Sequence, residues 1–178
     1  LPVFDTVEPD FNIVQLFRKY QFVGADRVAD TRQLSFGLTT RIIEGSTGRE
    51  RLAATFGQTR YLRAQRVSLP GQAPNDANAS DYVAELNLNL RDAWNLNLGY
   101  QWNTTTEQTS RAETHLQYRP RDDRVFAAGY RFREGLLEQG DLSLVWPLTQ
   151  RWRFIGRFSY SFLDHAPLER FFGWEFDA

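Results

Sequence analysis

The sequence predicts an all-β fold, an antiparallel up-and-down transmembrane β-barrel of which this chain supplies about nine strands. Three observations predict it. Apolar and polar residues alternate with a period of two along most of the chain from residue 33 onward, which is typical of strands with one apolar and one polar face. The connections between these segments alternate between tight and longer polar stretches, and aromatic residues gather near both ends of the segments.

The hairpin formed by residues 82–90 and 94–102 shows the clearest alternation. Its apolar positions carry mainly Leu, Tyr and Trp, whereas several of the positions between them carry Asn. Residues 91–93 are expected to form the tight turn that reverses the chain. Each arm has about nine residues, close to the roughly 9–11 that a tilted strand needs to cross a bilayer. The hairpin therefore predicts two membrane-crossing strands.

The other elements are predicted from the same pattern. Residues 1–32 are irregular and are expected to be an extracellular loop region, while 33–178 are expected to form barrel strands of one domain. The second strand is expected to fade into solvent over 58–63. The predicted tight turns are 44–49, 91–93, 120–123 and 147–150, and the predicted longer loops are 64–80, 103–109, 134–140 and 163–167.

The positions of these connections carry a second signal. In a meander, alternate connections lie at the same end of the sheet, so tight turns at one end and longer loops at the other match periplasmic turns and extracellular loops. Aromatic residues near both strand ends match the two aromatic girdles of a membrane barrel. The predicted lipid-facing girdle residues are Trp94, Tyr100, Trp102, Tyr118, Trp146, Trp152 and Trp174.

Composition sets limits on the function. No run of 18 apolar residues occurs, so no transmembrane helix is predicted, and a mean hydropathy of -0.51 is compatible with a barrel that turns half its residues to a polar lumen. A net charge of -1 offers no electrostatic basis for binding nucleic acid. The absence of cysteine excludes a disulfide or a thiolate metal site within this stretch.

A soluble β-sandwich or lipocalin-like barrel is the alternative fold, because such proteins also alternate apolar and polar residues. Two features favour the membrane. The predicted strands have about ten residues, more than the roughly 5–6 usual in soluble sheets. The alternation of connection lengths and the aromatic banding also match an outer-membrane barrel.

A series of short motifs follows a particular order along nearly the whole chain. They are Phe4-Asp5-Thr6, Pro9-Asp10-Phe11, Leu16-Phe17-Arg18, Gly24-Ala25-Asp26-Arg27-Val28-Ala29-Asp30, Gln33-Leu34-Ser35, Gly37-Leu38-Thr39-Thr40-Arg41, Arg49-Glu50-Arg51, Gly57-Gln58, Tyr118-Arg119, Asp123-Arg124, Gly129-Tyr130-Arg131, Trp146-Pro147-Leu148, Arg151-Trp152 and Gly173-Trp174-Glu175. In this order they resemble the LPS-assembly outer-membrane protein family, LptD.

The resemblance implies a fold and a function. The family's barrel has about 26 strands, follows a periplasmic jellyroll domain and holds a lipoprotein plug. It moves lipopolysaccharide to the outer leaflet of the Gram-negative cell outer membrane. About nine strands cannot close such a barrel, and the jellyroll is absent from this stretch, so the resemblance implies a C-terminal portion of the barrel only. The adjacent cysteine pair of the family falls outside this stretch.

The resemblance also implies partners. They are lipopolysaccharide, a plug lipoprotein similar to LptE, a periplasmic bridge protein similar to LptA, and the lipid of the outer membrane. No nucleic acid partner and no cofactor are implied.

Charged residues on the polar side of the predicted strands are the candidate lumen-facing groups. Under the resemblance, their cations could meet the phosphates of lipopolysaccharide. The alternative is that they pair with one another along a hydrated lumen wall. The candidates are Arg41, Glu85, Arg111, Glu113, Arg119, Arg131, Arg133, Asp141, Arg153, Arg157 and Glu175.

Two other functions remain open from the residues alone. One is a diffusion porin or other outer-membrane channel, and the other is an outer-membrane barrel hydrolase with a His-Ser pair or an Asp/His cluster. His115 shares the polar side with Glu113 and Gln117, and His165 falls in a loop. A lone histidine in a lumen is far more often part of a polar network than a catalytic base, and no set of His, Asp and Glu has the spacing of metal ligands, so no catalytic residue, metal ligand or enzyme activity is predicted.

Overall fold

The computed structural model describes residues 32–62 and 79–177, and the regular elements in these ranges are nine β-strands. The predicted extracellular loop region, residues 1–32, lies outside the described residues except for Arg32. The strands are β1 (Gln33–Ile43), β2 (Glu50–Tyr61), β3 (Tyr82–Leu90), β4 (Trp94–Asn103), β5 (Gln108–Arg121), β6 (Arg124–Arg133), β7 (Leu137–Pro147), β8 (Trp152–Ser161) and β9 (Ala166–Phe176).

The strands form one sheet in the order β1 to β9, and the pairs from β5 to β9 are antiparallel. The prediction of an up-and-down antiparallel meander of about nine strands is therefore confirmed. No pairing between β1 and β9 occurs among the described residues, so these strands alone leave the sheet open.

The register keeps similar residues together on each face. Ala128 of β6 lies opposite Leu116 of β5 and Leu142 of β7, whereas its neighbour Ala127 lies opposite Gln117 and Ser143. Because side chains alternate between faces, a slip of one residue would exchange these two sets. The alternation in the sequence therefore becomes two chemically distinct faces across β5 to β9.

The predicted difference in connection length is wrong for three of the four longer loops. β5 begins at Gln108, β7 at Leu137 and β9 at Ala166, which leaves only 104–107, 134–136 and 162–165 as connections. Polar residues predicted to be loop instead extend the strands, because backbone pairing continues through Glu138 opposite Phe132. Side-chain polarity does not interrupt a backbone ladder whose partner strand is present.

The tight turns sit largely where they were predicted. Residues 44–49 and 91–93 connect strands as expected, whereas β5 runs on to Arg121 and leaves only 122–123 between β5 and β6. The register shifts between Tyr118 and Arg121, and Pro120 lies in this irregular segment. A proline is tolerated there because the ladder hydrogen bond that it cannot donate is already interrupted.

The described residues belong to two compact units. The first contains the described residues of Leu1–Thr39, Thr55–Ala84 and Trp102–Gln108. In it Thr59 is 2% exposed, and its backbone N–H donates to the Ser80 hydroxyl at 2.9 Å while Ser80 N–H donates to Thr59 O at 2.7 Å. The expectation that the second strand fades into solvent from residue 58 is therefore wrong, because the backbone around Thr59 is buried against Ser80.

The second unit comprises Thr40–Ala54, Glu85–Gln101 and Thr109–Ala178, and it contains most of the candidate site residues. Its ladders from β5 to β9 are continuous apart from register shifts between Tyr118 and Arg121 and between Ser159 and Tyr160. In residues 32–62 and 79–177, no helix has the length and hydrophobicity needed to span a bilayer.

Candidate functional site

The polar face of β5 to β9 brings many predicted charged residues together. We define this face as every second residue of β5 from Arg111 to Gln117, together with the residues on the same side of the neighbouring strands, which include Arg153 in β8. In β5 and β6, Arg111 lies opposite Arg133 and Glu113 lies opposite Arg131. Further along the sheet, the face includes Asp141 in β7, Arg157 in β8 and Glu175 in β9.

Several of the predicted candidates form ion pairs with nearby carboxylates. The Arg–carboxylate distances are 2.8 Å for Arg111–Glu113, 3.2 Å for Arg153–Glu175, 3.3 Å for Arg157–Glu169, 3.1 Å for Arg119–Asp122 and 3.5 Å for Arg41–Glu50. Glu85 lies in β3 of the same unit. These distances match the mutual pairing considered above. Arg131 makes no ion pair with any described residue, although it lies opposite Glu113 and Gln139.

Glycines give carboxylates room to lie flat on the polar face. The Asp141 carboxylate covers Gly129, where an added Cβ would lie 2.6 Å from Oδ2. The Glu113 side chain covers Gly99 in the same way, with its Cγ 2.8 Å from such a Cβ. Any larger residue would displace these carboxylates, so the glycines set their position.

The two histidines form no reactive pair in the described part of the chain. His115 lies opposite Gly129, whose other neighbour is Asp141, but its imidazole makes no hydrogen bond to a described residue. Ser159, which is 5% exposed, accepts a hydrogen bond from Gln139 at 3.1 Å. No described hydroxyl therefore contacts a histidine base as the hydrolase alternative requires.

Four of the predicted girdle residues, Tyr118, Trp146, Trp152 and Trp174, lie on the apolar face of β5 to β9, which is the face opposite the polar one, and rings near them form pairs. The ring centroids are 4.3 Å apart in Trp94–Tyr118, 5.0 Å in Trp152–Phe176 and 5.0 Å in Phe154–Trp174. The Tyr100 hydroxyl lies 2.9 Å from the Thr109 hydroxyl, and Trp102 lies at the far end of β4. Many of these rings are exposed, including Trp174 at 65%.

Two cations on the apolar face were missed by the sequence reasoning. The Arg124 guanidinium lies 5.4 Å from the Trp146 ring centroid, and that of Arg170 lies 5.9 Å from the Phe158 ring centroid. Both distances allow a cation–π contact, which offsets part of the cost of placing a charge among apolar residues. In the sequence, each arginine lies an even number of residues from aromatic residues of its own strand, β6 or β9. The alternation therefore already placed both arginines on the apolar side.

A cluster of charged residues joins the turns 44–49 and 91–93. We call it the turn cluster, and it consists of Glu44, Arg49, Arg51 and Asp92. Arg49 and Arg51 both donate to Oδ1 of Asp92, at 2.7 and 2.8 Å, and Arg51 also donates to Glu44 at 2.9 Å. The Thr47 hydroxyl donates to the Glu44 carboxylate as well.

Hydrogen bonding lowers the pKa of both carboxylates of the turn cluster. Bonds from the Thr47 hydroxyl and then from Arg51 lower the pKa of Glu44. Bonds from Arg49 and then from Arg51 lower the pKa of Asp92. Both groups are therefore ionised at neutral pH, as their partners require.

A cleft of about 450 Å³ opens beside the turn cluster. Three asparagines form a ladder toward it: Asn97 donates to Asn95 at 2.6 Å, Asn95 donates to Asn89 at 2.6 Å, and Asn89 donates to the Glu50 carbonyl at 3.1 Å. Gln117 and the predicted candidate Arg119 also line the cleft. We did not predict this cleft, although the repeated asparagines of the 82–102 hairpin were its visible signal.

Comparison with known proteins identifies the family. The family model described as "LPS transport system D", LptD, matches residues 1–152 of the 178. Among curated proteins, the chain is similar to the LPS-assembly protein LptD of Thiobacillus denitrificans, with 37% identity over 178 residues that cover 100% of this chain and 24% of the relative.

Two further relatives have the same printed name. The LPS-assembly protein LptD of Pseudomonas aeruginosa strain LESB58 is 34% identical over 100% of this chain and 23% of its own length. That of Nitrosococcus oceani is 35% identical over 99% of this chain and 24% of its own length. The chain thus spans about a quarter of the relatives' length. Its match to the family model over most of its length means that the chain belongs to the LptD family.

Proposed function

We propose that this chain is part of an outer-membrane β-barrel that delivers lipopolysaccharide to the outer leaflet, and not an enzyme or an open porin. Membership of the LptD family is the observation that carries the proposal, because the relatives are named LPS-assembly proteins. We further propose that the chain corresponds to the C-terminal portion of the barrel, in which residues 33–178 supply neighbouring strands.

The two faces of the sheet support a membrane location. The shortest strand has 9 residues and the longest has 14, against the roughly 9–11 needed to cross a bilayer with a tilt. We place the apolar face, with its aromatic girdles, against lipid and the polar face toward the lumen. The long connection between β2 and β3 marks the extracellular side in this arrangement, and the tight turns mark the periplasmic side.

The chemistry of lipopolysaccharide fits a boundary of this kind. An amphiphile with acyl chains and an anionic saccharide needs a hydrated compartment beside an apolar one. The charged polar face supplies the wall of the hydrated compartment, where Arg131 has no ion-pair partner among the described residues. A phosphate there would gain a charge-assisted hydrogen bond. The partners that this role requires are a plug lipoprotein similar to LptE and a periplasmic bridge protein similar to LptA.

The proposal is tested by depleting the full-length parent protein in cells. Newly made lipopolysaccharide is then expected to accumulate before the outer membrane and to be missing from the cell surface, as measured by pulse labelling and surface-specific modification. Normal surface delivery after depletion would refute the proposed function. Large ion conductance by the purified protein with its plug in place would favour a porin instead.

A further inference from the structure

We propose that the cleft beside the turn cluster binds an acidic sugar, that is, a saccharide unit that carries a phosphate or carboxylate group. The source of this sugar rests on the proposed function, under which it is the saccharide part of lipopolysaccharide. The binding chemistry itself comes from the residues that line the cleft.

The cationic part of the cleft suits an anionic group. Arg49 and Arg51 converge on one oxygen of Asp92, whose side chain is 56% exposed. Arg119 lines the same cleft, and among the described residues its guanidinium pairs with Asp122, whose side chain is fully exposed at 101%. Each guanidinium has five N–H donors in a rigid fork, of which these contacts use only one or two. The donors that remain match phosphate or carboxylate oxygens.

The amide part of the cleft suits hydroxyl groups. Asn95 and Asn89 are held in place by the asparagine ladder, yet each amide uses only part of its donor and acceptor capacity. Gln117 lines the cleft, and its side-chain amide makes no hydrogen bond to a described residue. A sugar hydroxyl both donates and accepts, so it matches an amide at each position better than an apolar or purely anionic ligand does.

The size of the cleft argues against a small anion as the full ligand. Its volume of about 450 Å³ falls within the roughly 300–1,000 Å³ of ligand sites and far exceeds what one phosphate needs. The cations lie beside the turns, whereas the amides extend along β3, β4 and β5. An anionic group next to several hydroxyls therefore matches both parts of the cleft at once.

The backbone at Asp92 agrees with this role. Arg91 and Asp92 have φ values of 48° and 57°, a conformation that favours Asn or Gly in tight hairpin turns. The side chain of Asp92 nevertheless occupies the point where two arginines meet. It holds them in place for an anion that contacts the same guanidinium groups.

The test measures binding to the full-length protein together with its plug partner in lipid nanodiscs. The probe is delipidated, phosphorylated core oligosaccharide from lipopolysaccharide, followed by isothermal titration. Its dephosphorylated form and inorganic phosphate serve as separate competitors. We expect the dephosphorylated form to bind about tenfold more weakly, because it loses one charge-assisted contact.

Variants of the cleft are compared with a matched control. Arg49→Gln is expected to weaken binding about tenfold and Gln117→Ala about threefold. Gln150→Ala, in the turn between β7 and β8 and outside the cleft, is expected to bind like the parent. The Gln117 side chain has no hydrogen-bond partner among the described residues, so its replacement tests ligand contact and not folding.

Several outcomes would overturn the inference. One is equal binding by the parent, Arg49→Gln and Gln117→Ala. Another is full competition by phosphate at the concentration of the oligosaccharide, which would mean that the turn cluster holds an anion only. If either occurs while depletion still blocks surface delivery, the inference fails and the proposed function stands. If depletion has no effect, the proposed function fails whether or not the cleft binds the oligosaccharide.

Discussion

On each of the two faces of β5 to β9, a glycine is covered by a neighbouring side chain. The covering group is a carboxylate on the polar face and a pair of aromatic rings on the apolar face. On the polar face, the Asp141 carboxylate covers Gly129, whereas on the apolar face the rings of Phe154 and Phe172 cover Gly156, at 3.0 and 3.4 Å from an added Cβ. In both places a glycine lets a neighbouring side chain lie against the sheet. The comparison shows that the register leaves space above each glycine. The polarity of the face determines whether a carboxylate or an aromatic ring occupies that space.

The faces also differ in how their cross-strand pairs interact. Arg153 pairs with Glu175 through partly exposed charges, while the next pair in the register, Phe154 and Trp174, packs edge to face. Exposed ion pairs contribute little because water and salt compete for them. Ring pairs depend on apolar contact and are insensitive to salt. A face built from ion pairs can exchange partners with a passing anionic ligand, whereas a face built from rings cannot.

Moving a charge from one face to the other is expected to have the largest effect. Ala127 and Ala128 are adjacent and lie on opposite faces in the middle of β6. Under the proposed membrane location, Ala128→Arg should lower the folding free energy in bilayers by roughly 2–4 kcal/mol, because the cation enters lipid. Ala127→Arg should cost much less, because its neighbours Gln117 and Ser143 are polar.

The measurement is urea-dependent folding into bilayers, with folded protein followed by gel mobility. Equal losses of folding free energy in the two variants would mean that the two faces have the same environment. That result would contradict the proposed contact with lipid. Arg170→Leu serves as the reverse comparison, because it removes a cation from the apolar face and does not add one. Arg170 lies on this face in the edge strand β9 and contacts the Phe158 ring.

Filling the covered glycines should have the next largest effect. Gly156→Ala brings a methyl group against two rings and should cost about 1 kcal/mol or slightly more through overpacking. Gly129→Ala should cost less, since the Asp141 carboxylate is the end of a side chain that can rotate into water. The same folding assay gives both values. A larger cost at Gly129 would mean that the Asp141 position matters more to the fold than the packing of the rings does.

Cross-strand coupling offers a finer comparison of the faces. A double-mutant cycle on Phe154 and Trp174 should give a coupling of about 0.5–1.5 kcal/mol. A cycle on Arg153 and Glu175 should give about 0.2–1 kcal/mol, and this value should fall as salt is added. Repeating both cycles at low and high salt checks the origin of each coupling. Salt-independent coupling of the ion pair would contradict the proposed exposure of this face to water.

Acid should have the smallest effect and should act at the turn cluster. Since the pKa values of Glu44 and Asp92 are lowered in the folded chain, their contribution is present above the ordinary values and is lost only as pH falls through the lowered ones. The distance between turns 44–49 and 91–93 should therefore stay constant to below the ordinary values of 4.5 and 3.8 and broaden only in stronger acid.

Spin labels at Ser46→Cys and Arg91→Cys measure this distance, because the stretch has no cysteine of its own. In Asp92→Asn the broadening should already be present at neutral pH. A distance that is constant to strong acid and unchanged in Asp92→Asn would show that the ion pairs do not hold the two turns together.

Much of the fold could be predicted from local sequence. The start of β1 at Gln33, the whole of β3 and the turn 91–93 were placed correctly, because a period of two and a tight turn are properties of short segments. The two faces of β5 to β9 followed for the same reason. The charged candidates of β5 to β9 share one face in the observed register, since residues two apart in a strand lie on the same side.

Long-range pairing decided the rest. The strands extend into the loops predicted at 134–140 and 163–167 because a paired backbone stays paired whatever its side chains are. Arg51 and Asp92, 41 residues apart, meet only because two turns become neighbours, so no local pattern indicated the cleft. A sequence determines which side of its own strand a residue faces. Which residue it then contacts depends on register, and register is a property of the assembled sheet.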